Sequence, residues 1–407
     1  MTKHASLFCG LPNYAGDPIL ALMDAYAKDV RSGKVSLSIG LYFDEAGQLP
    51  VLQSVRTAQE ILFRRGGPCP YLPMEGSPAY RQAVQQVVFG AAHPAVLEGR
   101  IATIQALGGS GALRVGADLL RSQLGCTRVW VPDPTWDNHF ALFAGAGYQV
   151  ETYPYYDASS TKLRFDAMRQ KLKSLPARSV VLLHASCHNP TGMDLNPAQW
   201  HELAGIFSER GLIPFIDMAY QGFGDGLDED AAAVRALADT GHEFLVANSF
   251  SKNFSLYGER AGGLSVVCKN AAAADAVLGQ LKLAVRGNYS TPPAHGAALV
   301  GTILQSAELR AVWAGELEAM RRRIRDMRER LHRALTDRGD DHDFGYLLAQ
   351  RGMFSYTGLN TRQVLRLRQE HAVYLVDSGR MCMSGLTPDS IDYVADAIAA
   401  VLPATST

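Results

Sequence analysis

With 407 residues, 47% of them hydrophobic, the chain has apolar mass for a large core and for more than one structural unit. Lysine and arginine total 39 against 40 aspartates and glutamates, a net charge of −1 that excludes the basic balance of nucleic-acid binders and of proteins drawn to anionic membranes. The six cysteines (Cys9, Cys69, Cys126, Cys187, Cys268 and Cys382) form no CxxC pair and no disulfide spacing, and no apolar run is long enough to span a bilayer.

In chain order, the opening "MTKHASLFCGLPNYAGDP" lacks the apolar core of a secretory leader. From about residue 100 the pattern alternates. "IATIQAL" (101–107) reads as a buried strand and "GGSGALRVGADLLRSQL" (108–124) as the helix after it. Further strands are expected at "RVWVPDP" (128–134), "YQVETYPYY" (148–156), "SVVLLHAS" (179–186), "IPFIDMAY" (213–220), "FLVANSFS" (244–251) and "GGLSVVC" (262–268). Helical stretches such as "NPAQWHELAGIFSERG" (196–211) lie between most of them. Near-continuous apolar strands alternating with helices specify an α/β domain whose central sheet is mostly parallel and covered on both faces. After residue 300 the texture becomes one long helix. Trp313, Leu317, Met320, Ile324, Met327, Leu331 and Leu335 recur every three or four residues, giving a single apolar face. The arginines of "RRRIRDMRER" (321–330) read as a solvated helix face, since Asp326 and Glu329 interleave them. The remainder, including "GMFSYTGL" (352–359), completes a smaller unit.

Ligands of open parallel sheets gather beyond the carboxyl ends of the strands. Gly108-Gly109-Ser110-Gly111 follows the first strand and opens a helix, an arrangement that presents backbone N–H groups and a hydroxyl to an anion. A dinucleotide fingerprint fits poorly, because Arg114 replaces its third glycine. Trp136 and His139 follow the next strand. Asn189 stands in "CHNPTG", Asp217 and Tyr220 end another strand, and Ser249, Ser251, Lys252 and Arg260 follow the next. His184, Cys187 and His188 have no second cluster to complete a metal site, so no metal is expected. Each signal has a plainer reading: a tight turn, a core tryptophan, a structural ion pair for Asp217. Together, an anion cradle, an aromatic slab, an Asn, an Asp, a Tyr, a Lys and an Arg suit one ligand with a phosphate, a flat ring, a ring cation, a phenolic oxygen and an aldehyde. That ligand is pyridoxal 5′-phosphate.

The motifs "GGSGALRVGADLL", "HNPTGMDL", "DMAYQGFGDGL", "SFSKNFSLYGER", "RGNYSTPPAHGA" and "SGRMCMSGLTP" also resemble the class I aminotransferases of fold type I, in the aspartate and aromatic branch. The resemblance runs from residue 17 almost to the C-terminus. It implies that Lys252 is the Schiff-base lysine, that Asp217 partners the ring nitrogen with His139 behind it, and that Asn189 and Tyr220 bond the phenolic oxygen. Trp136 would stack on the ring. Gly109, Ser110, Ser249 and Arg260 would hold the phosphate, with Tyr71 reaching it from the other subunit of a homodimer. Arg380 would bind the substrate α-carboxylate, and Arg286 a distal carboxylate across the same interface. The implied organisation is an N-terminal arm (1–14), a large cofactor-binding domain (50–311) and a small α+β domain built from 15–49 and 312–407.

The segment "SIGLYFDEAGQLPVL" (38–52) should line the substrate mouth, with Gly40, Leu41 and Phe43 as contact residues. Aspartate-specialised relatives commonly carry Lys where this chain has Phe43, and smaller or polar residues in place of Leu41 and Leu49. Many have Asn where Thr291 stands. The expectation is therefore an aromatic amino acid aminotransferase that also accepts dicarboxylates, with aspartate aminotransferase as the alternative. Related lyases and decarboxylases and a silent cofactor-binding regulator are weaker readings, because Arg286 and Arg380 stand beside an intact Lys252, and a nicotinamide dehydrogenase is weakened by the glycine pattern. The sequons Asn253-Phe-Ser and Asn288-Tyr-Ser fall inside the active-site segments, which points to a cytoplasmic protein that meets neither membrane nor nucleic acid.

Overall fold

The computed structural model describes residues 8–13, 16–338 and 342–402. The expected arm over 1–14 lies largely outside the described residues. Seven strands form the main sheet: β1 (Ile101–Leu107), β2 (Arg128–Asp133), β3 (Gln149–Pro154), β4 (Val180–His184), β5 (Ile213–Met218), β6 (Phe244–Ser249) and β7 (Ala261–Val267). Their order is β1-β7-β6-β5-β4-β2-β3, parallel throughout except for β7, which runs antiparallel to both neighbours. Alternate residues of β4 face opposite cores. Val181 and Leu183 join one cluster with Ile216 and Val246, while Val180 and Leu182 join another with Phe215 and Leu245. Burial on both faces is why these strands read as continuous apolar runs.

The stretch 148–156, expected as one strand, divides after Pro154, and Tyr156–Asp157 pairs antiparallel with Lys162–Leu163 instead. Pro154 has no N–H to offer a ladder, so the main-sheet pairing stops there.

The helices that matter to the site are α1 (Pro18–Lys28), α2 (Gln53–Arg65), α3 (Gly108–Leu124), α4 (Pro197–Arg210), α5 (Ala271–Asn288) and α6 (Ala307–Thr336). In α4, Asn196 and Gln199 form a reciprocal capping box, Pro197 sits at the first turn, and Gly211 closes the helix in the left-handed region. Helix α6 is 30 residues long, about 45 Å. Its seven predicted apolar positions are all buried. Glu316 of α6 accepts hydrogen bonds from the backbone N–H (3.1 Å) and hydroxyl (2.6 Å) of Ser54, capping α2 from outside that helix. Trp313 stacks on Phe254 at 4.5 Å and donates to the carbonyl of Asn253 at 2.7 Å, which pins the backbone just beyond Lys252.

The arginines of α6 correct an expectation. Arg323 and Arg328 are buried, not solvated. Arg323 donates to the carbonyls of Ser384, Leu386 and Asp44, and Arg328 to those of Leu347, Gly352 and Phe354. Each long stem reaches past the helix surface to backbone carbonyls of other segments. Around α6 the two chain ends meet. Val35–Ser36 pairs in parallel with Val373–Tyr374, and Phe354–Tyr356 pairs antiparallel with Arg380–Cys382.

Candidate active site

A cavity of about 300 Å³ opens at the carboxyl ends of the parallel strands. From the strand ends come Trp136, Asn189, Asp217, Tyr220, Ser249 and Lys252, with Gly109 and Ser110 at the start of α3. Arg260 enters from the turn before β7, and Gly40 and Arg380 from the opposite side. Eleven of the residues expected from the sequence thus share one space. His139 is fully buried one layer behind, and its Nε2 lies 3.1 Å from Asp217 Oδ2.

Asp217 is where the fit to the cofactor is tested. Its Oδ2 has the His139 bond, but its Oδ1 is buried and has no partner among the described residues. A buried carboxylate oxygen without a donor is costly, and a ring N–H satisfies it. Burial pushes the Asp217 carboxyl up. The hydrogen bond and charge of His139, with the nearby charge of Lys252, outweigh it and hold the group below its ordinary value, so it stays ionised. Behind it, His139 Nδ1 bonds Thr135 Oγ1 at 2.8 Å. His184 is pushed down to about 3 by burial, so it is neutral at physiological pH. His139, His184 and Asp217 lie close enough together to hold a metal ion, but the His139 to Asp217 hydrogen bond gives that contact another use.

Lys252 is half-buried in the cavity wall, and its Nζ sits 5.0 Å from the Tyr220 ring centroid. Burial, abetted by Arg260 and Arg380 and resisted by Asp217, pushes its pKa down to about 8. An amine in that range exists in both protonation states near neutrality, as a proton carrier must. Tyr220 is pushed up by burial and remains a hydroxyl.

The anion cradle is equally specific. Gly108 has φ +65° and its missing Cβ would lie 2.6 Å from Arg260 Nη2, so only glycine lets this guanidinium approach the start of α3. Ser249 Oγ bonds Ser251 Oγ at 3.1 Å beside it. A phosphate at this spot meets a cation, two serines and helix N–H groups.

On the other wall, Arg380 donates to Asn189 Oδ1 (3.2 Å) and to the carbonyl of Ser38 (2.7 Å), with its guanidinium 4.4 Å from the Phe354 ring centroid. Gly40 packs on the same ring, and a Cβ there would stand 2.8 Å from Phe354 Cζ. Phe354, Ile19 and Ile39 line the cavity and were not singled out in the sequence. Ile19 sits in the first turn of α1, which Asp17 caps, far from every motif. Asp194 was also missed. It accepts from the N–H groups of Cys187 (2.7 Å) and His188 (2.8 Å), fastening the loop that presents Asn189. The signal was present in "HNPTGMD", five residues after Asn189, as an acid that a buried turn could use.

Besides His139, four expected residues are not in the cavity of this chain. Tyr71 is 93% exposed, and Arg286, at the end of α5, is exposed and among the described residues bonds only Ser290 Oγ. Leu41 and Phe43 are half-buried outside the lining, because the backbone at Gly40 is what faces the cavity.

Comparison with known proteins adds independent support. The sequence profile of the family "Aminotransferase class I and II" matches residues 32–398. An aromatic-amino-acid aminotransferase of Escherichia coli (strain K12) is 54% identical over 97% of this chain and its own full length. An aspartate aminotransferase of Pseudomonas aeruginosa is 46% identical over 98% of this chain and its own full length. The crystal structure of an aromatic-amino-acid aminotransferase from Burkholderia pseudomallei, covalently bound to pyridoxal phosphate, superposes with a TM-score of 0.96 at 48% identity, covering 98% of this chain and all of that one.

Proposed function

The chain belongs to the class I and II aminotransferases, and on that premise we propose that it moves amino groups between aromatic amino acids and 2-oxoglutarate, accepting dicarboxylic amino acids as well. It is a transaminase that uses pyridoxal phosphate. The observation that carries the substrate reading is the double character of the cavity. A buried guanidinium, Arg380, stands ready for a carboxylate, while Ile19, Ile39 and Phe354 offer an apolar cover for a ring. The 54% identity to an aromatic-amino-acid aminotransferase supports the same choice.

Bound pyridoxal phosphate supplies an aldehyde that condenses with amines and a ring that takes up the electron pair released at the substrate Cα. The chain's groups do the rest. Ser110, Ser249, Arg260 and the amide of Gly109 would hold the phosphate, and Trp136 would face the ring. Asp217 Oδ1 would accept the ring N–H and keep that nitrogen protonated, with His139 fixing the carboxylate from behind. Asn189 and Tyr220 donate to the phenolic oxygen. Arg380 would orient the substrate α-carboxylate, and the free Lys252 Nζ would hold and move the substrate Cα proton. The amino acid leaves as an oxo acid before a second oxo acid enters, so the kinetics are ping-pong.

A homodimer with shared sites fits this reading. Tyr71 and Arg286 are exposed and idle in one chain, as are Phe63 at 88% exposure and Leu283. We read the segments 15–49 and 312–407 as the small unit. Cytosolic placement is supported by the sequon residue Asn253, which is buried and donates to the carbonyl of Gln221, leaving no room for a glycan. Mixing Lys252→Ala with Arg286→Ala chains should restore part of the activity in heterodimers. Proven heterodimers without restoration would mean that each site belongs to one chain.

Arg286 also separates the two substrate readings. It can hold a side-chain carboxylate bidentately, whereas an aromatic ring gives it no such partner. Arg286→Ala should lower kcat/KM for aspartate about 100-fold, the cost of losing a desolvated charge pair, and that for phenylalanine less than about tenfold. An amino acid panel with 2-oxoglutarate decides the assignment. If aspartate is used and phenylalanine and tyrosine are untouched, the chain is an aspartate aminotransferase.

A further inference from the structure

Behind the active site lies a second basin of about 240 Å³, between the turn that follows Tyr220 and the small unit. Arg321, Arg325, Arg328 and Arg351 line it against only two carboxylates, Asp225 and Glu329. Both carboxylates are already matched. Asp225 Oδ1 lies 3.0 Å from Arg351 Nε, and Glu329 lies 3.5 Å from Arg325 Nε. Arg321 pairs with Glu318 outside the basin.

Arg328 is the one left over. It is 4% exposed, and its four hydrogen bonds all go to neutral oxygens: the carbonyls of Leu347 (3.2 Å), Gly352 (2.8 Å) and Phe354 (2.9 Å) and Ser355 Oγ (2.5 Å). Among the described residues no carboxylate pairs with it. Burial and the neighbouring Arg351 push it down only to about 10, so it stays charged near neutrality. A buried cation with no counter-charge is costly, and an anion in the basin compensates it. Donors remain for such an anion. Neither Arg351 Nη2 nor either Nη of Arg325 has a hydrogen bond among the described residues.

We propose that this basin binds a small, multiply charged oxyanion of the phosphate or dicarboxylate class, held by Arg325 and Arg351 above the uncompensated Arg328. The site is separate from the cofactor cradle and the proposed substrate carboxylate sites. Its walls connect to the catalytic cavity through the backbone. Asp225 follows Tyr220 by five residues, and Gly352 precedes Phe354, the ring against Arg380. An anion here ties the large-unit turn to the small-unit segment that carries Phe354.

The test uses the holoenzyme, whose cofactor already fills the phosphate cradle. Saturating inorganic phosphate should raise Tm by about 1–3 °C over potassium chloride of equal ionic strength. Hydrogen exchange should slow in 221–226 and 348–354. Arg325→Gln, a change at an exposed side chain, should weaken phosphate binding by calorimetry about tenfold or more, the scale of one charged hydrogen bond. Arg351→Gln should do the same if the variant keeps its fold. Arg380→Leu should keep the phosphate effect. In that background a succinate effect in place of a phosphate effect would assign the site to dicarboxylates. The proposal fails if no anion exceeds chloride, which would leave the arginines merely hydrated. It fails equally if the effect survives Arg325→Gln but vanishes in Arg380→Leu, which would put the anion in the active site.

Discussion

Lys252→Ala should still bind pyridoxal phosphate while turning over at least about 10⁴-fold more slowly than the parent chain. The loss combines two roles of one nitrogen, covalent attachment and proton transfer, and the second alone is worth about 10²–10⁴. The cavity offers no substitute. Tyr220 is held as a hydroxyl by burial, and His139 and the Asp217 oxygen it bonds face each other. Borohydride should fix the cofactor to the parent chain at Lys252, as peptide mass reports, and should fix none in the variant. The pH dependence follows from burial. Desolvation disfavours the ammonium, so in cofactor-free protein Lys252 should lose its proton around pH 8, while exposed lysines do so near 10.4. Selective labelling of Lys252 by an amine reagent at pH 8 checks this. Turnover by Lys252→Ala within tenfold of the parent would remove the lysine from its proposed role.

Asp217→Asn should cost about 10²–10⁴ in kcat, the range expected when one partner of a buried charged pair is removed. Asparagine keeps the size and still meets His139, but it cannot hold a ring nitrogen in its protonated form. The variant also changes Lys252. Asp217 is the one neighbour whose charge raises the Lys252 pKa, against burial and two arginines. Without it the amine becomes easier to deprotonate, so labelling of Lys252 in cofactor-free Asp217→Asn should move to lower pH than in the parent. A structural role alone would lower stability and leave that profile in place. Asp217→Glu should recover part of the activity if the charge is what matters. Full activity in Asp217→Asn would show that the unpartnered oxygen serves something other than the cofactor ring.

The main sheet and the strand-end residues were legible in the sequence for one physical reason. Strands buried on both faces must be apolar, so polar groups that interrupt them at a carboxyl end stand out. Asp217, Ser249 and Lys252 each follow such a run. Parallel alternation with helices then sends all those ends to one edge, which is why eight residues named from scattered strand ends line a single cavity. The roles of Arg380, Arg286 and Tyr71 came from resemblance, since no periodicity marks them.

What the sequence determined by itself was the α/β pattern, the apolar face of α6 and the chemical set of the cofactor site. Tertiary structure alone decided which distant segments close that site. Ile19 reaches it from α1, and Phe354 arrives with the strand that pairs with Arg380, because packing between segments hundreds of residues apart leaves no local trace. It also decided the fate of the α6 arginines. Helical spacing predicts a face but not what a long side chain finds there, and Arg328 finds the carbonyls of a turn that only the folded chain brings within reach.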